Sequence, residues 1–158
     1  MTKEELSYIA GFLDGDGCIM LQLVYRHDYV FGYQIRASIV FYQDIRNRSF
    51  LEWLKKKFGY VGYVRNRNDG MSEYTIVGVK AVTNTLKLFK SHLRLKKKQA
   101  NLALKVLKQM PERDCKLTSK KLLRLSKLVD GFSKLNYSKR RTNTSAKVEE
   151  FLKSKNLL

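Results

Sequence analysis

Two aspartates close the most chemically suggestive stretch of the chain, Tyr8-Ile9-Ala10-Gly11-Phe12-Leu13-Asp14-Gly15-Asp16-Gly17. Thr2 followed by Glu5 is a capping box, which predicts a helix through about Leu13. Asp14 and Asp16 then fall at the helix C-terminus, where the peptide dipoles disfavour a carboxylate. Acids placed against the dipole point to a compensating cation; a glycine-rich turn with two solvated aspartates is the plainer alternative. An EF-hand is excluded, because counting from Asp14 its glycine would be Ile19 and its closing glutamate Tyr25. Ser7, Gly11 and Gly15 recur every four residues, so they line one side of the helix and let another backbone come close. A second charged group, Lys96-Lys97-Lys98, reads on its own as a solvated run that contacts phosphate.

The elements that must position these residues follow from periodicity. Residues 19–25 alternate, with Ile19, Leu21, Leu23 and Tyr25 on one face and Gln22, Val24 and Arg26 on or continuing the other. Residues 33–41 do the same, Tyr33, Ile35, Ala37, Ile39 and Phe41 against Gln34, Arg36, Ser38 and Val40. Period two over such lengths predicts strands, with a hairpin turn at Asp28 to Gly32. Asp44 caps a helix bearing Phe50, Leu51, Leu54 and Phe58 and stopped at Gly59. A second hairpin spans 61–67 and 72–78 around Asn68-Asp69-Gly70. Helices follow from Lys80 to about Leu88, from Lys97 to Met110 ahead of Pro111, over 119–135 and over 145–153.

The order helix, two strands, helix, two strands, helix, then a helical tail predicts an α+β fold. Its antiparallel sheet is covered by helices on one face and open on the other. One domain over 1–158 is expected, with a core of about 2–93 and a helical extension of about 97–158. On the open parity stand Gln22, Arg26, Gln34, Arg36, Ser38, Arg65, Arg67, Glu73 and Thr75. Gln, Arg and Ser can bond base edges in a major groove, although any half-wet sheet carries polar residues.

Charge weighs on that choice. The chain carries a net +18, and it is unevenly spread. Residues 1–79 hold 10 Lys/Arg and 9 Asp/Glu; residues 80–158 hold 22 and 5. A polyanionic partner, usually nucleic acid, follows. Membrane binding is disfavoured by the core-type stripes of the basic helices and by the lack of a span-length apolar run. Cys18 and Cys115 are too few for a disulfide framework and lack partners at metal spacing, as in reduced intracellular proteins. The acidic, non-apolar start Met1-Thr2-Lys3-Glu4-Glu5 is unlike a signal peptide.

The decapeptide resembles the LAGLIDADG motif, and the element order αββαββα matches the core of that endonuclease family. Phe31-Gly32-Tyr33-Gln34, Gly62-Tyr63-Val64-Arg65-Asn66-Arg67, Leu95-Lys96-Lys97-Lys98-Gln99-Ala100-Asn101 and Asn136-Tyr137-Ser138-Lys139 resemble segments of its single-motif, homodimeric members. The resemblance implies a homing endonuclease with a saddle-shaped sheet, two copies of which cut both strands of a long, nearly palindromic DNA site. It implies that Asp16 and the Gly15 carbonyl bind an essential Mg²⁺, or Mn²⁺ or Ca²⁺ in its place. Gln43 would order catalytic water, and Lys96 would stand near the scissile phosphate. The family's further arginine falls on Asn47, with Arg46 and Arg48 beside it, so Arg48 is taken as its replacement.

Base contacts are then expected from Gln22, Arg26, Asp28, Tyr29, Gln34, Arg36, Ser38, Arg65, Arg67, Glu73 and Thr75. Phosphate contacts are expected from Lys97, Lys98, Ser138, Lys139, Thr142 and Asn143. Ser7, Gly11 and Asp14 would lie at the dimer interface. An organelle (chloroplast or mitochondrion) or a microbial intron would be the home. The competing readings are a maturase bound to intron RNA, an inactive DNA-binding relative, and a ribosomal-type RNA binder. Intact Asp14, Asp16, Gln43 and Lys96 argue against the last two.

Overall fold

Thr2 caps the first helix as its spacing predicts: its hydroxyl accepts from the Glu5 amide (3.2 Å) while Glu5 accepts from the Thr2 amide (3.0 Å). This computed structural model describes residues 1–111, 117–136 and 141–158, so Cys115, Ser138 and Lys139 lie outside the described residues. The elements are α1 (Lys3–Asp16), β1 (Gly17–Tyr25), β2 (Tyr33–Asp44), α2 (Arg48–Lys57), β3 (Tyr63–Asn66), β4 (Met71–Val77), α3 (Val79–Phe89), α4 (Lys97–Leu107), α5 (Ser119–Asp130) and α6 (Ser145–Ser154). One-turn 3₁₀ segments, Ile45–Asn47 and Gly131–Lys134, precede α2 and follow α5. The fold is α+β, with one four-stranded antiparallel sheet in the order β1-β2-β4-β3. By packing, the chain divides into two compact units, Met1–Ile19 with Ala37–Ala100 and Met20–Arg36 with Asn101–Leu158.

In the first unit α2 and α3 lie on β4, and α1 on α3. The side chains that fill the space between them are those of the predicted core parity: Ile39 and Phe41 of β2, Tyr74 and Ile76 of β4, all fully buried. Phe41 stacks on Phe12 (5.8 Å) and on Tyr74 (5.9 Å), and Phe58 closes the cluster against Phe89 (5.7 Å). The Tyr74 hydroxyl donates to the Val61 carbonyl (2.6 Å), and burial pushes its ionisation well above the ordinary phenol value.

In the second unit the buried residues include Leu21 and Leu23 of β1, Leu122, Leu125 and Val129 of α5, and Val148 and Leu152 of α6. Tyr25 and Tyr33 both meet Phe151 edge-on at 5.9 Å. Gly32 in the β1–β2 turn has φ +64, and a Cβ there would lie 2.4 Å from the Phe151 ring, so both conformation and space require glycine. β1 is an edge strand whose outward carbonyls are taken up: Asn143 donates to Leu23 O (2.9 Å) and Arg141 to Leu21 O (3.3 Å).

Several boundaries depart from the periodicity. α1 runs through Asp16 rather than ending near Leu13. β3 is only four residues long, because Gly59, Tyr60 and Gly62 all take positive φ ahead of it. The long helix expected over 119–135 breaks at Asp130 into the 3₁₀ turn. Asp44 does cap, but caps the 3₁₀ turn, accepting from the Arg46 amide (2.9 Å). A wet face over Ser38, Glu73 and Thr75 is not what the structure has: they are 3%, 6% and 3% exposed. β4 has a strand on each side, and the long Arg65 side chain of β3 bonds to Glu73 on it.

Candidate active site

Asp14 and Asp16, two residues apart, have opposite fates. Asp14 is buried, and its carboxylate accepts from the backbone amides of Arg94 (2.5 Å), Leu95 (3.1 Å) and Lys96 (2.9 Å). Lys96 returns its ammonium to the Asp14 carbonyl and, at 3.4 Å, to the Gly15 carbonyl. Helix C-terminal carbonyls carry partial negative charge, so this cation lets α1 continue past the point where its sequence pattern ends. Asp16 is exposed and without a hydrogen-bond or ion-pair partner among the described residues. Asp16, Gly15 and Lys96 are thus drawn to one end of one helix, while Asp14, expected at a subunit contact, is bonded within its own chain.

The donor set here is carboxylate and peptide oxygen, which hard divalent cations prefer. The Asp16 carboxylate, unengaged among the described residues, and the Gly15 carbonyl are the oxygens that fit Mg²⁺ or a similar ion. Among the described residues no three His, Cys, Asp or Glu side chains form a metal cluster.

Gln43 is the penultimate residue of β2, opposite Ser72 in the register. Its Oε1 accepts from its neighbour's amide at Asp44 (3.0 Å) and from Asn47 Nδ2 (3.4 Å). Arg48 faces elsewhere, donating to Asn66 (2.6 Å) and Glu52 (2.8 Å), and Arg46 is bound to Asp44. The contact to Gln43 therefore comes from Asn47, a residue the sequence singles out only as a departure from the family pattern.

Base-reading candidates fall in each unit. In the first, Arg65 donates to Glu73 Oε1 (2.7 Å), its register partner, and Arg67 binds Asp69 (2.6 Å) over the Tyr42 ring (5.6 Å). Glu73 raises the Arg65 guanidinium above its usual value, fixing its charge. Tyr42 was outside the expected strand; β2 runs on to Asp44, which puts Tyr42 on the parity of Ser38 and Val40, opposite Glu73. In the second unit Arg26 pairs with Asp28 (3.1 Å) and lies over Tyr29 (5.6 Å), with Gln22 and Arg36 exposed and Gln34 half-buried. The Arg26 hydrogen bonds hold Asp28 below the usual carboxylate range.

Lys97 and Lys98 are exposed in the first turn of α4, the end where the dipole disfavours cations, so they do not serve the helix. Thr142 is exposed, but the Asn143 amide is bonded to β1. Ser7 and Gly11 are exposed on α1 beside Tyr8, which is 58% exposed, and a Cβ added to Gly11 or Gly15 would meet nothing within 4 Å. Nothing among the described residues uses the smallness of those glycines.

A capped helix ending in a carboxylate unpartnered among the described residues, a sheet bearing arginines and a strongly basic chain together define a protein built to act on a polyanion. The comparisons make the class specific. The LAGLIDADG endonuclease family profile matches residues 9–108. The DNA endonuclease I-CreI of Chlamydomonas reinhardtii is 40% identical over 153 residues, spanning 97% of this chain and 91% of its own. The DNA endonuclease I-CvuI of Chlorella vulgaris is 37% identical over 150 residues, spanning 94% and 90%. A crystal structure of I-CvuI with its target in the presence of calcium superposes with a TM-score of 0.91 at 35% identity, covering 98% of this chain and 96% of that one. The chain belongs to the LAGLIDADG endonuclease family, as a single-motif homing endonuclease.

Proposed function

We propose that two copies of this chain cut both strands of a long, nearly palindromic DNA site in a reaction that needs a divalent cation, with Asp16 of each copy at the centre. The observation that carries this reading is the exposed Asp16 carboxylate, without a partner among the described residues, beside the Gly15 carbonyl at the end of α1. I-CvuI has been crystallised with DNA in the presence of calcium and, on the I-CreI target, of magnesium with that DNA uncleaved, which supports divalent-metal use here. Gly11 and Gly15, open on one side and exposed, support close approach by a second backbone and hence a homodimer. One Asp16 per chain and two strands to cut require the same stoichiometry. The whole chain, 1–158, acts as one endonuclease domain.

A bound divalent cation supplies charge neutralisation at phosphate and a more acidic water. Asp16 and the Gly15 carbonyl would hold it. Gln43, its Oε1 fixed by Asp44 and Asn47, turns its Nε2 to orient the attacking water. The Lys96 ammonium stabilises charge on the scissile phosphate, and Arg48 joins it by leaving Asn66 and Glu52. Arg65, Arg67, Arg26, Gln22, Gln34 and Arg36 read base edges, with Asp28, Tyr29, Ser38, Glu73 and Thr75 bonding or backing them. Lys97, Lys98, Thr142 and Asn143, together with Ser138 and Lys139, position the protein on phosphates. The algal sources of I-CreI and I-CvuI support an organellar intron as its home.

Asp16→Asn tests the chemistry on a duplex that the wild type cuts. Cleavage is expected to vanish while folding and DNA binding persist. An Asp16→Asn protein that still cuts, or that is inactive because it no longer binds DNA, contradicts the assignment.

A further inference from the structure

Three consecutive amides converging on one carboxylate form an anion-binding concavity made of backbone. Here the carboxylate is Asp14 and the amides belong to Arg94, Leu95 and Lys96, eighty to eighty-two residues away in the chain. This segment has weak apolar anchoring of its own. Leu93 is buried before it and Ala100 after it, but Leu95 is 75% exposed and Arg94 is exposed as well. The two directions of bonding cross: the Asp14 side chain holds the backbone at Lys96, and the Lys96 side chain holds the backbone at Asp14 and Gly15. A lysine ammonium is a compact charge on a flexible four-carbon stem, so the place of its Cα limits where the charge can act.

We propose that Asp14 is the positioning residue for Lys96: its carboxylate fixes the 94–96 backbone so that the ammonium stays at the end of α1 beside Asp16. The proposal rests on the reading of Lys96 as the cation at the scissile phosphate. Asp14 touches neither DNA nor metal in this role and works only through residue 96. Its carboxylate accepts three amides from within its own chain, which is what a residue holding the 94–96 backbone would do.

The test combines single-turnover cleavage at saturating DNA and Mg²⁺, DNA binding without divalent metal, and amide hydrogen exchange of the free protein. Wild type, Asp14→Asn, Asp14→Glu, Lys96→Ala and the double variant Asp14→Asn/Lys96→Ala are compared. Asp14→Asn is expected to slow cleavage on the order of 100-fold, the scale of a misplaced catalytic group. The double variant should be no slower than the slower single one, within about threefold, because coupled residues are not additive. DNA binding should hold, and the Arg94, Leu95 and Lys96 amides should exchange faster. Asp14→Glu, which keeps the charge on a longer stem, should fall between wild type and Asp14→Asn in both rate and protection, and carries the test should Asp14→Asn not fold.

Multiplying effects in the double variant, wild-type cleavage by Asp14→Asn, or slowed cleavage with unchanged amide protection would each overturn the proposal. Wild type that binds DNA but cuts nothing overturns the nuclease reading instead. The exchange data then still decide whether Asp14 holds the loop.

Discussion

Gln43 is the polar side chain whose place depends most on single atoms. Its Oε1 is engaged by the Asp44 amide and by Asn47, which leaves Nε2 as the group that can meet water. Gln43→Ala removes that group without disturbing the fully buried cluster around Phe41, so single-turnover cleavage should fall roughly 100-fold with melting temperature nearly unchanged. Cleavage within a few-fold of wild type would remove Gln43 from the chemistry. Motifs single out Asp16 and Lys96 in the sequence, and the structure draws both to the end of α1. Residue identities were not legible where a departure from the family pattern left neighbours to choose from. Arg46, Asn47 and Arg48 are consecutive, and only the 3₁₀ turn at Ile45–Asn47 decides that Asn47 faces Gln43 while Arg48 faces Asn66 and Glu52.

At the scale of elements, α1 carries the site, and both of its ends are held by side chains distant in sequence. The N-terminal end is a capping box whose Glu5 also takes the Lys57 ammonium, and these hydrogen bonds hold its carboxyl below the ordinary carboxylate range. A lowered value means that the contribution is present at neutral pH and is lost as pH falls through the ordinary range to the lowered one. Between roughly pH 5 and pH 3, melting temperature should therefore fall more steeply in wild type than in Glu5→Gln. Parallel curves would show that the pair adds nothing to stability. The cap was readable because it is local: Thr2 and Glu5 are three residues apart. The C-terminal end was not, because its extension to Asp16 depends on amides and an ammonium that return from residues 94–96. Strand faces follow the same rule. The core parity of β2 was visible in its alternation, whereas the burial of Glu73 and Thr75 comes from β4 having partners on both sides, a matter of sheet order.

For the molecule as a whole, charge and symmetry set what it can do. The 17 surplus positive charges of residues 80–158 are concentrated away from the nearly neutral first half, which holds Asp16, Gln43, Arg65 and Arg67. On the proposed reading, positioning on phosphates and reading of bases fall to different stretches of one chain. A chain so basic is expected to bind many polyanions, so binding alone does not distinguish an endonuclease from a maturase or an inactive relative. Catalysis on a selected sequence does. The most direct measurement is cleavage of a randomised pool of nearly palindromic duplexes, with and without Mg²⁺, by wild type and by Asp16→Asn. Enrichment of one site cut on both strands, by wild type alone and only with metal, is the predicted result. Retained binding to DNA or to intron RNA with no cut product under any metal would contradict it.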